Sequence, residues 1–169
     1  MIETVYILLG SNVGDREKYL ETALERLESL EGLEITASSG IYISEAKDMQ
    51  GENPSFLNQV VKADWWYKAN ELLHAMEKIE CDLGRTEKKK KQPRTIDIDL
   101  LLFGEQIIDT EYLRVPHEHL LNRPFAMVPL LQIDPQLRHP AGKRPIAEFL
   151  SDEDRKTVML YKDHVARDI

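Results

Sequence analysis

Cysteine and long apolar runs are scarce in this sequence. The one cysteine, Cys81, allows no disulfide within the chain and agrees with a reducing compartment. No apolar run approaches the ~20 residues that a helix needs to cross a membrane. The apolar stretch near the N-terminus is short and follows no basic segment, so it does not have the pattern of a signal peptide. We therefore expect a cytoplasmic protein with no membrane partner.

A net positive charge is also missing. The 169 residues include 22 Lys and Arg against 30 Asp and Glu, which gives a net charge of −8. Proteins that bind nucleic acid usually present a basic surface, so we expect no nucleic-acid partner. Hydrophobic residues make up 42% of the chain, which is sufficient for one core. We expect a single domain over residues 1–169 that acts as a monomer on small molecules.

The periodicity of the apolar residues predicts a strand, a helix, two strands, a helix and a strand, in that order. These elements fall at residues 4–9, 15–30, 33–44, 56–66, 69–83 and 93–104. The order is typical of a ferredoxin-like βαββαβ sandwich, which is an α+β fold. C-terminal additions are expected beyond it: a hairpin turn at residues 104–106, a helical patch at 125–132, a helical turn near Ile146 and a last strand near Val158.

Two carboxylates interrupt the apolar strand at residues 93–104. Side chains alternate along a strand, so Asp97 and Asp99 project from the same face, with their Cα atoms about 6.6 Å apart. The same alternation assigns Leu101 and Phe103 to the face of the carboxylates, and the other apolar residues to the opposite face: Ile96, Ile98, Leu100 and Leu102. Two neighbouring anions repel each other and resist burial, and a bound cation removes both costs. Mg²⁺ suits such a site because few carboxylates hold it together with water and substrate phosphates.

Cationic residues lie directly upstream of the carboxylates, at Lys88, Lys89, Lys90, Lys91 and Arg94. An acidic pair beside a cationic loop is the composition of a phosphoryl-transfer site, where catalysis depends on positioning and charge neutralisation. We expect the loop at residues 85–92, which contains these lysines, to close over the phosphates once both substrates are bound. The alternative is that the aspartates belong to a solvated face and the lysines to a solvated turn.

Five segments together resemble the 6-hydroxymethyl-7,8-dihydropterin pyrophosphokinase family. They are LGSN at residues 9–12, FLN at 56–58, PRTIDIDLL at 93–101, VPH at 115–117 and NRPF at 122–125. The segments follow the order and roughly the spacing of the family, and they cover nearly the whole chain. The resemblance implies transfer of pyrophosphate from ATP to the hydroxymethyl oxygen of the dihydropterin, with release of AMP, in folate biosynthesis.

The resemblance also assigns ligands to particular residues. Asp97 and Asp99 would hold two Mg²⁺ ions that bridge the phosphates of ATP, the co-substrate. The residues assigned to the nucleotide are Glu80, Arg85, Lys90, Arg94, Ile96, His117 and Arg123. The residues assigned to the pterin are Ser44, Phe56, Asn58, Asp97 and Phe125, with the ring between the two phenylalanines and the asparagine at its amide-like edge. The catalytic set is Arg85, Arg94, Asp97 and Asp99.

Three features depart from the family pattern. The family commonly carries arginine and tryptophan before a Gly-Pro-Arg triplet, whereas this chain has four lysines and Gln92. Lysine keeps the charge but lacks the planar fork of donors that arginine offers to phosphate. Glu118 stands where the family often has an aromatic residue, and the polar loop predicted at residues 45–55 lacks the usual proline- and glycine-rich pattern. The lysine that acts on the phosphates and the pterin contacts of residues 45–55 are therefore left open.

Two other functions remain as alternatives. A ferredoxin-like RNA-binding module would need exposed aromatic residues on the central strands in a basic setting, and the acidic net charge disfavours it. A metal-dependent phosphohydrolase would share the aspartate pair but would need no pterin slot. Phe56 and Phe125 would then belong to the core, and His117 to the surface.

Overall fold

The described residues form the predicted α+β architecture. A computed structural model describes residues 2–44, 55–84 and 95–163 of the chain. Its strands are β1 (Glu3–Ser11), β2 (Leu33–Ser38), β3 (Ile41–Ser44), β4 (Phe56–Trp65), β5 (Asp97–Phe103), β6 (Ile108–Asp109), β7 (Arg114–Val115) and β8 (Val158–Lys162). Its helices are α1 (Arg16–Glu28), α2 (Ala69–Asp82), α3 (Pro124–Ile133) and α4 (Asp152–Arg155), with 3₁₀ turns at Leu120–Asn122 and Ile146–Phe149. The βαββαβ order and the expected C-terminal helix, helical turn and strand are confirmed.

An antiparallel sheet supports the fold, with strands in the order β5-β1-β4-β3-β8 and with β2 also paired to β4. The stretch predicted to be β at residues 33–44 is therefore two strands, and both pair with β4. The interruption lies at Ser39, whose buried hydroxyl accepts a hydrogen bond from the Val60 N–H at 2.9 Å. The Ser39 N–H donates to the Val60 carbonyl at 2.8 Å, so β4 stays hydrogen-bonded where the two strands meet.

Helices cover the sheet on both faces. On one face, α1 and α2 pack through apolar residues spaced three or four apart, as predicted for amphipathic helices. On the other face, α3 packs together with the two 3₁₀ turns. The alternation is clear in β1, where Val5, Ile7 and Leu9 face α1 and α2, whereas Tyr6 and Leu8 face α3. Within the described ranges, no helix is long and apolar enough to cross a membrane.

The alternation predicted for β5 holds only for its first part. A shift in the register between β1 and β5 leaves one extra residue, Leu101, in β5. Such a bulge reverses the faces of the residues that follow it. Leu102 therefore packs on the side of α3 and Phe103 on the side of α1 and α2, and the predicted faces of these two residues are wrong. The two carboxylates precede the bulge, so their predicted face is not affected.

The turn at residues 104–106 does not form the predicted hairpin with β5. Gly104 has a φ of 55° and its N–H donates to the Thr4 carbonyl at 2.7 Å, which ties the end of β5 to β1. The chain then leaves the sheet, and β6 pairs with β7 in a separate two-stranded sheet. Beyond them the chain runs along the outer edge of β5, where the His117 N–H donates to the Leu101 carbonyl at 2.9 Å.

Candidate active site

A row of cross-strand neighbours brings together residues that are distant in the sequence. Asp97 of β5 pairs with Gly10 of β1, Gly10 pairs with Asn58 of β4, and Asn58 pairs with Tyr42 of β3. Cross-strand neighbours share a face, and the Tyr42 hydroxyl donates to Gln132 Oε1 of α3, so this is the α3 face of the sheet. Neighbouring strands lie about 4.8 Å apart, which separates the Cα atoms of Asp97 and Asn58 by roughly 10 Å.

The aspartate pair lies at the β5 end of this row. Asp97 and Asp99 are both half-buried, and the cross-strand neighbour of Asp99, Leu8, packs in the core beneath α3. The two carboxylates therefore share a face, as predicted. In the described part of the chain, no group of three or more histidine, cysteine, aspartate or glutamate residues could hold a metal ion. A pair of carboxylates still fits Mg²⁺, because this ion completes its shell with water and substrate phosphates.

Three residues predicted to bind pterin lie together on β3 and β4. Ser44 pairs with Phe56, and the Asn58 Nδ2 donates to the Ser44 Oγ at 3.0 Å. Asn58 is only 2% exposed, so this hydrogen bond holds its amide in one orientation. The guanidinium of Arg16 donates to the Ser55 carbonyl at 2.6 Å and so fixes the chain just before β4.

Gly10 leaves space for the Asn58 amide. A Cβ atom at residue 10 would lie 3.0 Å from the Asn58 Oδ1 and 4.0 Å from the Phe56 Cδ1. The segment GSNVGD at residues 10–15 predicts a turn that shapes the ligand site. In the structure, Gly10 and Ser11 instead continue β1. Because Gly10 has no side chain, it places only main-chain atoms between the aspartate pair and the Asn58 amide.

Replacing Gly10 with alanine is expected to weaken pterin binding by about tenfold. Overpacking typically costs about 1–3 kcal/mol, and about 1.4 kcal/mol corresponds to a factor of ten in Kd. The added methyl group would push the Asn58 Oδ1 out of its position. Calorimetry with the pterin and, separately, with a non-hydrolysable ATP analogue would measure the effect. Equal losses for the two ligands would contradict this role of Gly10.

The N-terminus of α3 carries Arg123 and Phe125. Arg123 is the residue that precedes the helix, and its Cζ lies 5.6 Å from the centroid of the Phe125 ring, as in a cation–π contact. Phe125 is half-buried against the core beneath α3. It therefore lies on the same side of the sheet as Phe56, as a pterin slot between the two rings requires.

His117 is held as a neutral hydrogen-bond donor beside β5. Its Nδ1 accepts a hydrogen bond from the His119 N–H at 3.1 Å. Burial, followed by the positive charge of Arg123, lowers the pKa of His117 to about 4. At neutral pH the imidazole is therefore uncharged with its proton on Nε2, where it can donate to an anionic oxygen.

The NMR signals of the His117 ring are expected to stay constant from pH 8 to pH 5. A ring with the ordinary pKa of about 6.5 would change its signals across this range. The free energy of unfolding also depends on pH through His117. The unfolded chain takes up a proton there between about pH 6.5 and 4, and the folded chain does not. The contribution of His117 to stability is therefore complete above pH 6.5 and falls as the pH drops through that window. A titration midpoint near 6.5 at His117 would contradict the buried, neutral ring.

The remaining predicted site residues fall into two groups. Arg85, Lys90 and Arg94 lie outside the described residues, together with most of the predicted loops at 45–55 and 85–92. Ile96 and Glu80 are described, and both are buried, with 0% and 2% of their surface exposed. The Ile96 side chain packs in the core beside α1 and α2, so only its main chain is available to a nucleotide.

Known proteins similar to this chain share one activity in their names. The profile of the family described as 7,8-dihydro-6-hydroxymethylpterin-pyrophosphokinase (HPPK) matches residues 6–135. A 2-amino-4-hydroxy-6-hydroxymethyldihydropteridine pyrophosphokinase from Aquifex aeolicus is 44% identical over 153 residues, which are 90% of this chain and 94% of that protein. The enzyme of the same name from Pseudomonas aeruginosa is 38% identical over 151 residues, 89% of this chain and 92% of that protein.

The fold is also found in solved structures. The crystal structure of wild-type Plasmodium falciparum HPPK-DHPS superposes with a TM-score of 0.69 at 15% sequence identity. The match covers 88% of this chain and 40% of that chain, so this chain spans less than half of that longer protein. At this identity the match concerns the fold alone, and it agrees with the ferredoxin-like α+β assignment. On the family profile and the sequence relatives together, the chain belongs to the 7,8-dihydro-6-hydroxymethylpterin-pyrophosphokinase family.

Proposed function

We infer that this chain transfers the pyrophosphoryl group of ATP to the hydroxymethyl oxygen of 6-hydroxymethyl-7,8-dihydropterin, with release of AMP, in folate biosynthesis. The observation that carries the inference is the row of neighbours Asp97, Gly10 and Asn58 on one face of the sheet, in a chain of this family. The two ends of the row suit different substrates. The carboxylate end suits the metal-bound phosphates of ATP, and the buried Asn58 amide suits the heterocycle of the pterin.

The pterin end of the row recognises an amide-like ring edge. An asparagine side chain has two amide hydrogens and a carbonyl oxygen. One of these hydrogens serves the Ser44 Oγ, so the other and the carbonyl are directed to the ring. Phe56 and Phe125, on the same side of the sheet, supply faces for stacking. The ring is thereby oriented with its hydroxymethyl group toward the aspartate end, roughly 10 Å away at Cα.

The aspartate end of the row would hold the phosphates of ATP through bound Mg²⁺. Asp97 and Asp99 are the residues that would bind the metal, and two ions are proposed by resemblance to the family. When bound, Mg²⁺ neutralises the phosphate charge and orients the groups that react. The neutral His117 Nε2–H and the Arg123 guanidinium act as further donors to phosphate oxygens. Arg85, Arg94 and one of the lysines at 88–91, with Lys90 as the first choice, are assigned to the same task on sequence grounds.

AMP formation by the purified chain tests this function directly. ATP and Mg²⁺ are supplied with and without the dihydropterin, and we expect AMP only when the pterin is present. A metal-dependent phosphohydrolase would cleave ATP regardless of the pterin, and an RNA-binding module would form no AMP in either case. Chelation of Mg²⁺ should stop the reaction and leave pterin binding to Asn58 in place. Activity that persists without a divalent cation would remove the metal from the proposal.

The setting of the enzyme is proposed from the sequence. We place the chain in the cytoplasm and expect it to act as a monomer. Its acidic net charge of −8 and its single cysteine are the features that support this setting.

A further inference from the structure

Glu80 is a buried carboxylate that the resemblance assigns to the nucleotide but that has no task in the reaction proposed above. It lies near the C-terminal end of α2 and is only 2% exposed. One of its oxygens, Oε2, accepts a hydrogen bond from the main-chain N–H of Ile98 at 3.0 Å. Burying a carboxylate is costly unless it is hydrogen-bonded, so this contact compensates part of that cost.

The contact between Glu80 and the Ile98 N–H is important because of where Ile98 lies. Ile98 lies between Asp97 and Asp99, and among the described strands β5 is the last of the sheet on this side. An edge strand has main-chain groups on its outer side that no neighbouring strand satisfies. At Ile98 the acceptor comes from a helix, so the main chain between the two carboxylates is tied to α2 as well as to β1.

Two further hydrogen bonds hold the chain just before the pair. The Thr95 Oγ1 donates to the Leu83 carbonyl at 2.9 Å, which joins the same end of α2 to the start of β5. The Ser11 Oγ donates to the Thr95 carbonyl at 2.5 Å from the side of β1. Glu80 is the one carboxylate in this set, and its contact is the one that falls between the two aspartates.

We propose that Glu80 is a positioning residue for the aspartate pair: by accepting the Ile98 N–H it fixes the separation and direction of the Asp97 and Asp99 carboxylates. This inference rests on the proposed metal-binding role of the pair. It differs from a direct contact of Glu80 with the nucleotide, which the burial of the side chain disfavours. A residue that orients metal ligands from behind typically changes metal affinity or activity by about 10–100-fold when it is removed.

Two substitutions separate positioning from charge. Glu80→Gln keeps a carbonyl oxygen at the same distance along the side chain but removes the charge, whereas Glu80→Ala removes the acceptor. We expect Glu80→Ala to weaken Mn²⁺ binding to the ATP-analogue complex and to lower kcat, each by about 10–100-fold. Glu80→Gln should restore most of both, and the dissociation constant of the pterin should change little in either variant. Glu71→Gln, an exposed carboxylate in the first turn of the same helix, is the matched control.

Amide hydrogen exchange at Ile98 gives a readout that does not depend on activity. The Ile98 N–H should be protected in the parent and in Glu80→Gln, and should exchange faster in Glu80→Ala. If Glu80→Ala does not fold, the proposal is still tested by Mn²⁺ binding to Glu80→Gln and by the exchange rate of the Ile98 N–H in the parent. One result would overturn the proposal: Glu80→Gln keeps the Ile98 N–H as protected as in the parent, yet loses as much Mn²⁺ affinity as is expected of Glu80→Ala. An unprotected Ile98 N–H in the parent would overturn it as well. Failure of the parent to form AMP, with normal Mn²⁺ binding and Ile98 protection, would sink the proposed function instead.

Discussion

Replacing Asp97 or Asp99 with alanine is expected to lower kcat by about a thousandfold while the protein stays folded. Metal-ion catalysis contributes several kcal/mol of transition-state stabilisation, and each 1.36 kcal/mol is a factor of ten in rate. Both carboxylates are half-buried on one face, and in the proposed function both hold the metal-bound phosphates. The loss of a carboxylate should not unfold the chain, because relief of the repulsion between the two anions offsets the lost packing. Steady-state kinetics and thermal unfolding measure the two effects separately.

Asp64 provides the matched control for the aspartate pair. It is also half-buried, but it pairs with Thr4 near the opposite end of β1. Asp64→Ala should keep the rate of the parent, whereas the two site variants should also lose Mn²⁺ binding. Near-normal Mg²⁺-dependent turnover in either Asp97→Ala or Asp99→Ala would show that the metal lies elsewhere.

Replacing Asn58 with alanine is expected to weaken pterin binding by about 2 kcal/mol, or about thirtyfold in Kd. The substitution removes the donor and acceptor for the ring and leaves Ser44 Oγ without its hydrogen bond from Asn58. Phe125→Ala should weaken pterin binding as well, by about 0.5–1.5 kcal/mol beyond the lost contact area. Calorimetry should find ATP binding little changed in both variants.

Gln59 is the control for Asn58. It is the next residue on β4, is also buried, and uses its side-chain amide to donate to the Ser39 carbonyl at 3.1 Å. Its side chain points to the opposite face of the strand. Gln59→Ala should therefore reduce stability but leave the Kd of the pterin unchanged. A comparable loss of pterin and ATP affinity in Asn58→Ala would argue against a slot on β4.

The fold was predictable wherever local patterns decide the structure. The helix after Asp15 needs only its cap and its apolar stripe, and both are visible in the sequence. The faces of Leu102 and Phe103 were not predictable, because the bulge at Leu101 depends on how β5 aligns with β1. The assumed hairpin at residues 104–106 failed for a similar reason: the turn is real, but the strand after it belongs to another sheet.

The candidate site likewise contains residues that local patterns mark and residues that only contacts in the folded chain reveal. Alternation alone placed Asp97 and Asp99 on a common face. Asn58 was assigned through the family resemblance, and the rarity of asparagine inside strands supported that assignment. The roles proposed for Gly10 and Glu80 had no comparable signal, because each depends on a contact across the structure. For Glu80 the resemblance implied a contact with the nucleotide instead. Gly10 matters because β1 aligns it with Asn58, and Glu80 matters because α2 docks against the edge of β5. Such contacts depend on register and docking, which a single sequence does not encode in any short segment.

The row of neighbours Asp97, Gly10 and Asn58 also has a consequence for how the enzyme becomes active during synthesis. Its members come from three strands, and β5 is made after both β1 and β4. Closing such long loops is slow compared with forming a helix, so the strands that carry the site are among the late events of folding. A nascent chain that has not yet released β5 from the ribosome has no aspartate pair at all. The appearance of activity is therefore expected to report that β5 has paired with β1.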